Sequence, residues 1–297
     1  MNSSTWACLL ACASLAACQP ARQPSHEARV RMGEALFHDR ALSLDEDRSC
    51  ADCHHPEQGF SGVSSSVDVA KAPSLLDVRE QRTLGRGNPI VMSLELHAVI
   101  PIFGEQPVEL GMNGRERELI ERVSRNPGYR ALARRGWPEQ DGVRVSMITE
   151  ALGAFQETIV SSRRSRFDRW LTGEQTLTRQ EEEGAALFFG SAGCVQCHSG
   201  RTFTDSSDRR SPPRHRSIGA ADPTARLLSG VFAHTGREED LGMIKTPGLR
   251  GVTRHQVFFM DASESALDAA IHRHAPELSG DQVTRLCAFL GALEEQE

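Results

Sequence analysis

Two short runs carry the residues best suited to chemistry: Cys50-Ala51-Asp52-Cys53-His54 and Cys194-Val195-Gln196-Cys197-His198. Both read C-x-x-C-H, the pattern of covalent c-type haem attachment. Two thiols one helical turn apart reach the two vinyl groups of one porphyrin edge, and the adjacent histidine meets the iron from the proximal side. A zinc site would have to pair ligands across some 140 residues, roughly the gap between the runs. A redox dithiol would not need the histidine. Of the eight cysteines, Cys8, Cys12 and Cys18 lie in an amino-terminal leader or at its junction. Cys287 stands alone in an apolar stretch and reads as a small buried residue.

The flanks of the two runs repeat. Gly33-Glu-Ala-Leu-Phe37 precedes the first and Gly184-Ala-Ala-Leu-Phe188 the second. Gly59-Phe60-Ser61 follows the first, and Gly200-Arg-Thr-Phe203-Thr204 the second. Each half therefore offers a helix leading into the motif and a loop closing behind it, and the second half reads as a descendant of the first.

The chain of 297 residues suits about two domains of ordinary size. Little period-2 alternation occurs, and helical patterns fall at residues 27–37, 115–124, 145–161, 179–188, 266–274 and 282–295. Thr178 before Arg-Gln-Glu and Ser279 before Gly-Asp-Gln mark helix starts. Residues 61–88 and 200–246, broken by Gly85-Arg-Gly87 and Pro212-Pro213, are too long for simple connectors and are expected to wrap cofactors. The expected fold is all-α: two cytochrome c-like helical domains with long haem-wrapping loops, over residues 31–170 and 171–297. A formal net charge of −6, with arginines interleaved among acids as in residues 115–122, gives no footprint for nucleic acid.

The amino terminus reads as an export signal. Its short apolar run ends Leu15-Ala16-Ala17-Cys18 and polarity returns at Gln19. The expectation is a lipoprotein-type signal peptide over residues 1–17, a lipid anchor on Cys18, a linker over residues 18–30, and a periplasmic location.

Six segments in order resemble the bacterial di-haem cytochrome c peroxidase and MauG family. They are GEALFHDRALSLDEDRSCADCHHPEQGFSG, APSLLDV, IPIFGEQPVELG, ALGAFQETIVSSRRSRFDRWLTGE, EGAALFFGSAGCVQCHSGRTFTD and DLGMIKTPGLRGV. The third most resembles the MbnH-like subgroup. The resemblance implies two haems with different tasks. The one on His54 is open and binds hydrogen peroxide; the one on His198 is six-coordinate and relays electrons, with His274 at the sixth-ligand position and His272 available by type. It implies that Glu109 is the general base and acid of O–O cleavage, the alternative being a capping or surface glutamate, and that Pro101 lines the same pocket. His97 replaces a usual Gln and either assists proton transfer or binds the iron and closes the site.

The chain also departs from the family pattern. No Trp occurs in the segment from Leu84 to Pro89, where the family places an interhaem relay, and Trp6, Trp137 and Trp170 lie elsewhere. Lys71 stands where an Asn assists an interhaem calcium, which makes calcium doubtful, while Thr246 and Pro247 remain nearby. Met260, in Val257-Phe-Phe-Met-Asp-Ala262, sits where a His is usual and reads as a packed side chain, the alternative being a soft iron ligand. Two function classes follow. One is a peroxidase-like oxidoreductase that oxidises a small electron donor or a side chain of a partner protein. The other is a di-haem electron carrier without peroxide chemistry. The resemblance also implies a homodimer.

Overall fold

The computed structural model describes residues 23–63, 71–88, 90–105, 107–207, 215–217 and 230–295. The expected signal peptide, Cys18 and Pro212-Pro213 lie outside the described residues. Among those described, no helix is long and apolar enough to cross a membrane.

The helices are α1 (His26–Phe37), α2 (Leu94–Phe103), α3 (Glu116–Arg125), α4 (Pro127–Gly136), α5 (Val145–Gln156), α6 (Arg166–Leu171), α7 (Arg179–Phe189), α8 (Phe232–Thr235), α9 (Leu267–His274) and α10 (Gly280–Gly291). Two antiparallel ribbons accompany them: β1 (Gly62–Val63) with β2 (Lys71–Ala72), and β3 (His215–Ser217) with β4 (Met243–Lys245). The expected all-α class holds.

Both helix starts read from the sequence carry capping boxes. The Thr178 hydroxyl accepts from the Glu181 amide while the Glu181 side chain accepts from the Thr178 amide. Ser279 and Gln282 do the same for α10, so orphan amide donors of each first turn are satisfied. α5 stops at Gln156, short of the expected 161. Beyond it the backbone is taken into long-range bonds: Asp77 donates its amide to the Ile159 carbonyl and accepts from the Ser161 amide and hydroxyl.

Two apolar cores follow the sequence repeat. The first collects Met32, Leu36 and Phe37 of α1 with Met147, Ile148 and Phe155 of α5. The second collects Ala185 and Phe188 of α7 with Leu286, Phe289 and Leu290 of α10. Phe167 of α6 belongs to the second, and its amide donates to the Ala292 carbonyl. In each half the leading glycine lets two helices touch. A Cβ on Gly33 would lie 1.9 Å from the Ala151 carbonyl oxygen, and one on Gly184 would lie 1.9 Å from that of Arg285.

The halves are joined by polar contacts from residues 71–88. Arg163, which pairs with Asp77 at 3.2 Å and Glu80 at 2.7 Å, donates across to the Arg201 carbonyl. The Lys245 amide donates to the Arg86 carbonyl at 2.8 Å, and the Arg82 amide to that of Ser206 at 2.9 Å.

Candidate functional site

The two C-x-x-C-H runs fold almost identically. Each opens as a 3-10 turn, Cys50–Asp52 and Cys194–Gln196. Each closes with the histidine amide donating to the carbonyl of the first cysteine, at 2.9 Å in both cases. The Nδ1–H of His54 donates to the Phe60 carbonyl at 2.9 Å, and that of His198 to the Phe203 carbonyl at 3.1 Å. Both acceptors come from bulky residues in the left-handed region, with φ 56° for Phe60 and 54° for Phe203. Such backbone is uncommon for phenylalanine and here aims a carbonyl at the ring. The bond fixes the proton on Nδ1 and leaves the Nε2 lone pair available to a metal. Burial pulls both histidines down to about 4, so both rings are neutral at pH 7. The four cysteines form no disulfide among the described residues, and burial pushes Cys50 up to about 12.

The second motif faces a cavity of about 370 Å³. His274, the last residue of α9, stands across it, its ring centroid 6.5 Å from that of His198. Two imidazoles bonded to opposite faces of one metal, with bonds of about 2 Å each, place their centroids roughly 6 Å apart. His272 is not among the lining residues, whereas Met260 is buried and does line the cavity. The lining also includes three cations, Lys71, Arg86 and Lys245.

The first motif meets α2. His97 donates from Nδ1 to the Gln156 side-chain oxygen at 3.0 Å, and burial brings it to about 4. Past α2 the chain folds back. The Leu110 amide donates to the Pro101 carbonyl and the Met112 amide to the Ile102 carbonyl, both at 2.9 Å. This return sets Glu109 beside Pro101. Burial lifts Glu109 above the usual carboxylate range, against the pull of Arg86, and Glu109 in turn helps to raise Cys50. His97, Pro101 and Glu109 thus gather around the first motif. The ring neighbour of His54 is Phe37, at 6.4 Å; no histidine ring pairs with it among the described residues.

Sequence reasoning passed over several of these groups. Phe60 and Phe203 stood in the repeated flanks, so their signal was present. Gln156 carried none. Arg86 and Lys245 lay in segments noted only as a break and as a family match. No tryptophan lines the cavity: Trp137 sits in the first core, donating to Glu150 at 2.6 Å, and Trp170 stacks on Phe167 at 5.7 Å between centroids.

The doubled motif, the paired helix crossings and the cavity between facing histidines define a two-centre c-type cytochrome scaffold. Residues 27–176 match the family model described as di-haem cytochrome c peroxidase. The methylamine utilization protein MauG of Methylorubrum extorquens is 30% identical over 264 residues, covering 86% of this chain and 70% of that protein. Cytochrome c551 peroxidase of Nitrosomonas europaea is 30% identical over 289 residues, covering 91% and 81%. A solved structure of a MauG-like protein associated with microbial copper homeostasis superposes with a TM-score of 0.80 at 27% identity, covering 93% of this chain and 91% of that one. The chain belongs to the di-haem cytochrome c peroxidase and MauG family and is a peroxidase-like oxidoreductase of the two-haem kind.

Proposed function

We propose that this chain is a periplasmic enzyme that reduces hydrogen peroxide at an open haem held by Cys50, Cys53 and His54. A second, closed haem is held by Cys194, Cys197 and His198, with His274 as sixth ligand. The carrying observation is the asymmetry of the two histidines: His198 has a facing imidazole at 6.5 Å, whereas among the described residues the ring packed against His54 is that of Phe37, at 6.4 Å. The residues present suit the group. Each motif has two cysteines outside any disulfide and a buried neutral histidine held through Nδ1 by a backbone carbonyl, and the cavity beside His198 is broad and largely apolar.

Bound haem supplies an iron that takes oxidising equivalents from peroxide, and a second iron that relays electrons. The protein supplies the proton traffic. The Glu109 carboxylate accepts the proton from one peroxide oxygen and returns it to the other, which leaves as water. A Glu lifted by burial is suited to both halves of that exchange. His97, neutral and oriented by Gln156, assists beside it. One turnover consumes two electrons and two protons per peroxide and yields two waters. The electrons come from a small donor or from a side chain of a partner protein, the latter being the mode of an MbnH-like subgroup member. Steady-state consumption of peroxide with a reduced one-electron donor tests the reading. Turnover supports it; its absence at full haem content would favour the second reading.

That second reading is an electron carrier in which His97 closes the first haem. It is favoured by one observation, a buried neutral His97 held through Nδ1 by Gln156 and near enough to His54 for that group to lower it further.

Lys71 takes the place of the interhaem calcium. Its ammonium lies 3.3 Å from His255 Nδ1 and 5.4 Å above the Phe258 ring. A cation already built into the chain removes the need for an added one. Metal analysis after exhaustive dialysis is expected to return far less than one calcium per chain; a stoichiometric value would sink the assignment. Membrane attachment through Cys18 and a homodimeric state belong to the same proposal.

A further inference from the structure

We infer that Lys71, Arg86 and Lys245 together seat the carboxylates of the porphyrin that stands between His198 and His274. The inference rests on the haem reading above and concerns which side chains of this protein meet the cofactor's charged edge.

The three cations are collected from residues far apart in sequence and line the same cavity as the two histidines. Each is drawn in from solvent, and burial lowers all three from their ordinary values, Lys245 to about 7, Lys71 to about 8 and Arg86 to about 10. Arg86 adds to the effect on both lysines by like-charge repulsion.

What they touch within the protein is neutral. Lys245 Nζ donates to the Gln81 side-chain oxygen at 2.5 Å and to the Leu84 carbonyl at 3.0 Å. Arg86 donates to the Lys71 carbonyl, and Lys71 meets the His255 ring, itself kept neutral by burial. None of the three forms an ion pair with a carboxylate of the described residues; the negative charge acting on Arg86 is that of Glu109. Buried cations that repel one another and lack anions are strongly unfavourable as they stand. Two carboxylates arriving in the cavity would offset most of that positive charge. The porphyrin of a c-type haem brings two carboxylates, on the edge away from the thioether bonds.

A cation cluster against those carboxylates also favours the reduced, more negative state of the haem. The test uses haem-loaded full-length protein. Haem content is measured first by the alkaline pyridine method; fewer than two covalent haems in the wild type would overturn the haem reading itself. With two haems present, the reduction equilibria of both are titrated spectroelectrochemically in the wild type, Lys245→Met, Lys71→Met and Lys245→Arg. Each Met variant is expected to shift the low-spin, His198-side haem at least tenfold toward the oxidised form, 59 mV for one electron. Lys245→Arg keeps the charge and is expected to shift it less than threefold. A shift under threefold in the Met variants, or one confined to the His54-side haem, overturns the inference. A role in packing alone, or seating of a stray small anion, would give that null result. Should Lys245→Met fail to accumulate, Lys71→Met, at the less buried end of the cluster, decides by the same criterion.

Discussion

Replacing Glu109 by Gln is expected to lower peroxide turnover by about 10²- to 10⁴-fold, the usual worth of a positioned general acid–base. The amide keeps the shape of the side chain and can neither take up the proton of one oxygen nor give it to the other. The loss should appear in turnover while both haems remain attached and spectrally unchanged, because Glu109 touches neither histidine motif covalently. The pH profile gives a second, independent readout. Burial holds the Glu109 carboxyl above the usual carboxylate range, so the fraction ionised, and with it the rate, should rise with pH along an acid limb displaced upward from that of an exposed glutamate. In Glu109→Gln that limb should vanish. A variant that keeps both its rate and its acid limb would assign the proton transfer to another group, with His97 the next to test.

The second large effect is on stability. Gly184→Ala is expected to destabilise the haem-loaded protein by about 3 kcal/mol, the upper end of overpacking costs. The added carbon would lie 1.9 Å from the Arg285 carbonyl oxygen, 2.7 Å from its carbon and 2.8 Å from Phe289 Cβ. None of these atoms can step aside alone, so α7 and α10 must part by about 1 Å in a core packed to crystal-like density. The gain in helix propensity from Gly to Ala, about 1 kcal/mol, is in the opposite direction and smaller. Gly33→Ala meets the Ala151 carbonyl and Phe155 in the same way and should behave alike. Gly291→Ala, with open space around its added carbon, is the control and should be close to neutral. Denaturant midpoints on the three variants check this; equal midpoints for Gly184→Ala and Gly291→Ala would mean that the crossing is looser than described.

These glycines also show what was legible in the sequence. The repeated G-x-A-L-F runs announced two equivalent helices, and the structure gives the reason for the spacing. The glycine marks the crossing, and four residues on, Phe37 stands against His54 while Phe188 lines the cavity. Local signals were read correctly where the chemistry is local, as at the capping residues Thr178 and Ser279. α2 was missed because Pro101 interrupts its pattern; the proline removes the bond to the His97 carbonyl, and the helix ends two residues later. α4 was missed although Asn126-Pro127 is a sound start signal, an Asn cap before Pro at the first position. The overlong α5 reflects long-range hydrogen bonds to Asp77 that no local pattern carries. The cation cluster lies at the far limit of sequence reading. Lys71 was singled out by its place in a motif, but Arg86 joins it through a loop contact 15 residues away and Lys245 through tertiary contacts across some 160 residues. The same holds for Gln156, which orients His97 from 59 residues away.

The central claim is that the two haem sites differ, one open and one closed by a second histidine. Electron paramagnetic resonance of the fully ferric, haem-loaded protein tests it most directly. The account predicts one high-spin and one low-spin signal, the low-spin one lost on His274→Gly as that site opens. Two low-spin signals in the wild type would contradict it: His97 would then be the ligand closing the first site, and the chain would carry electrons without activating peroxide.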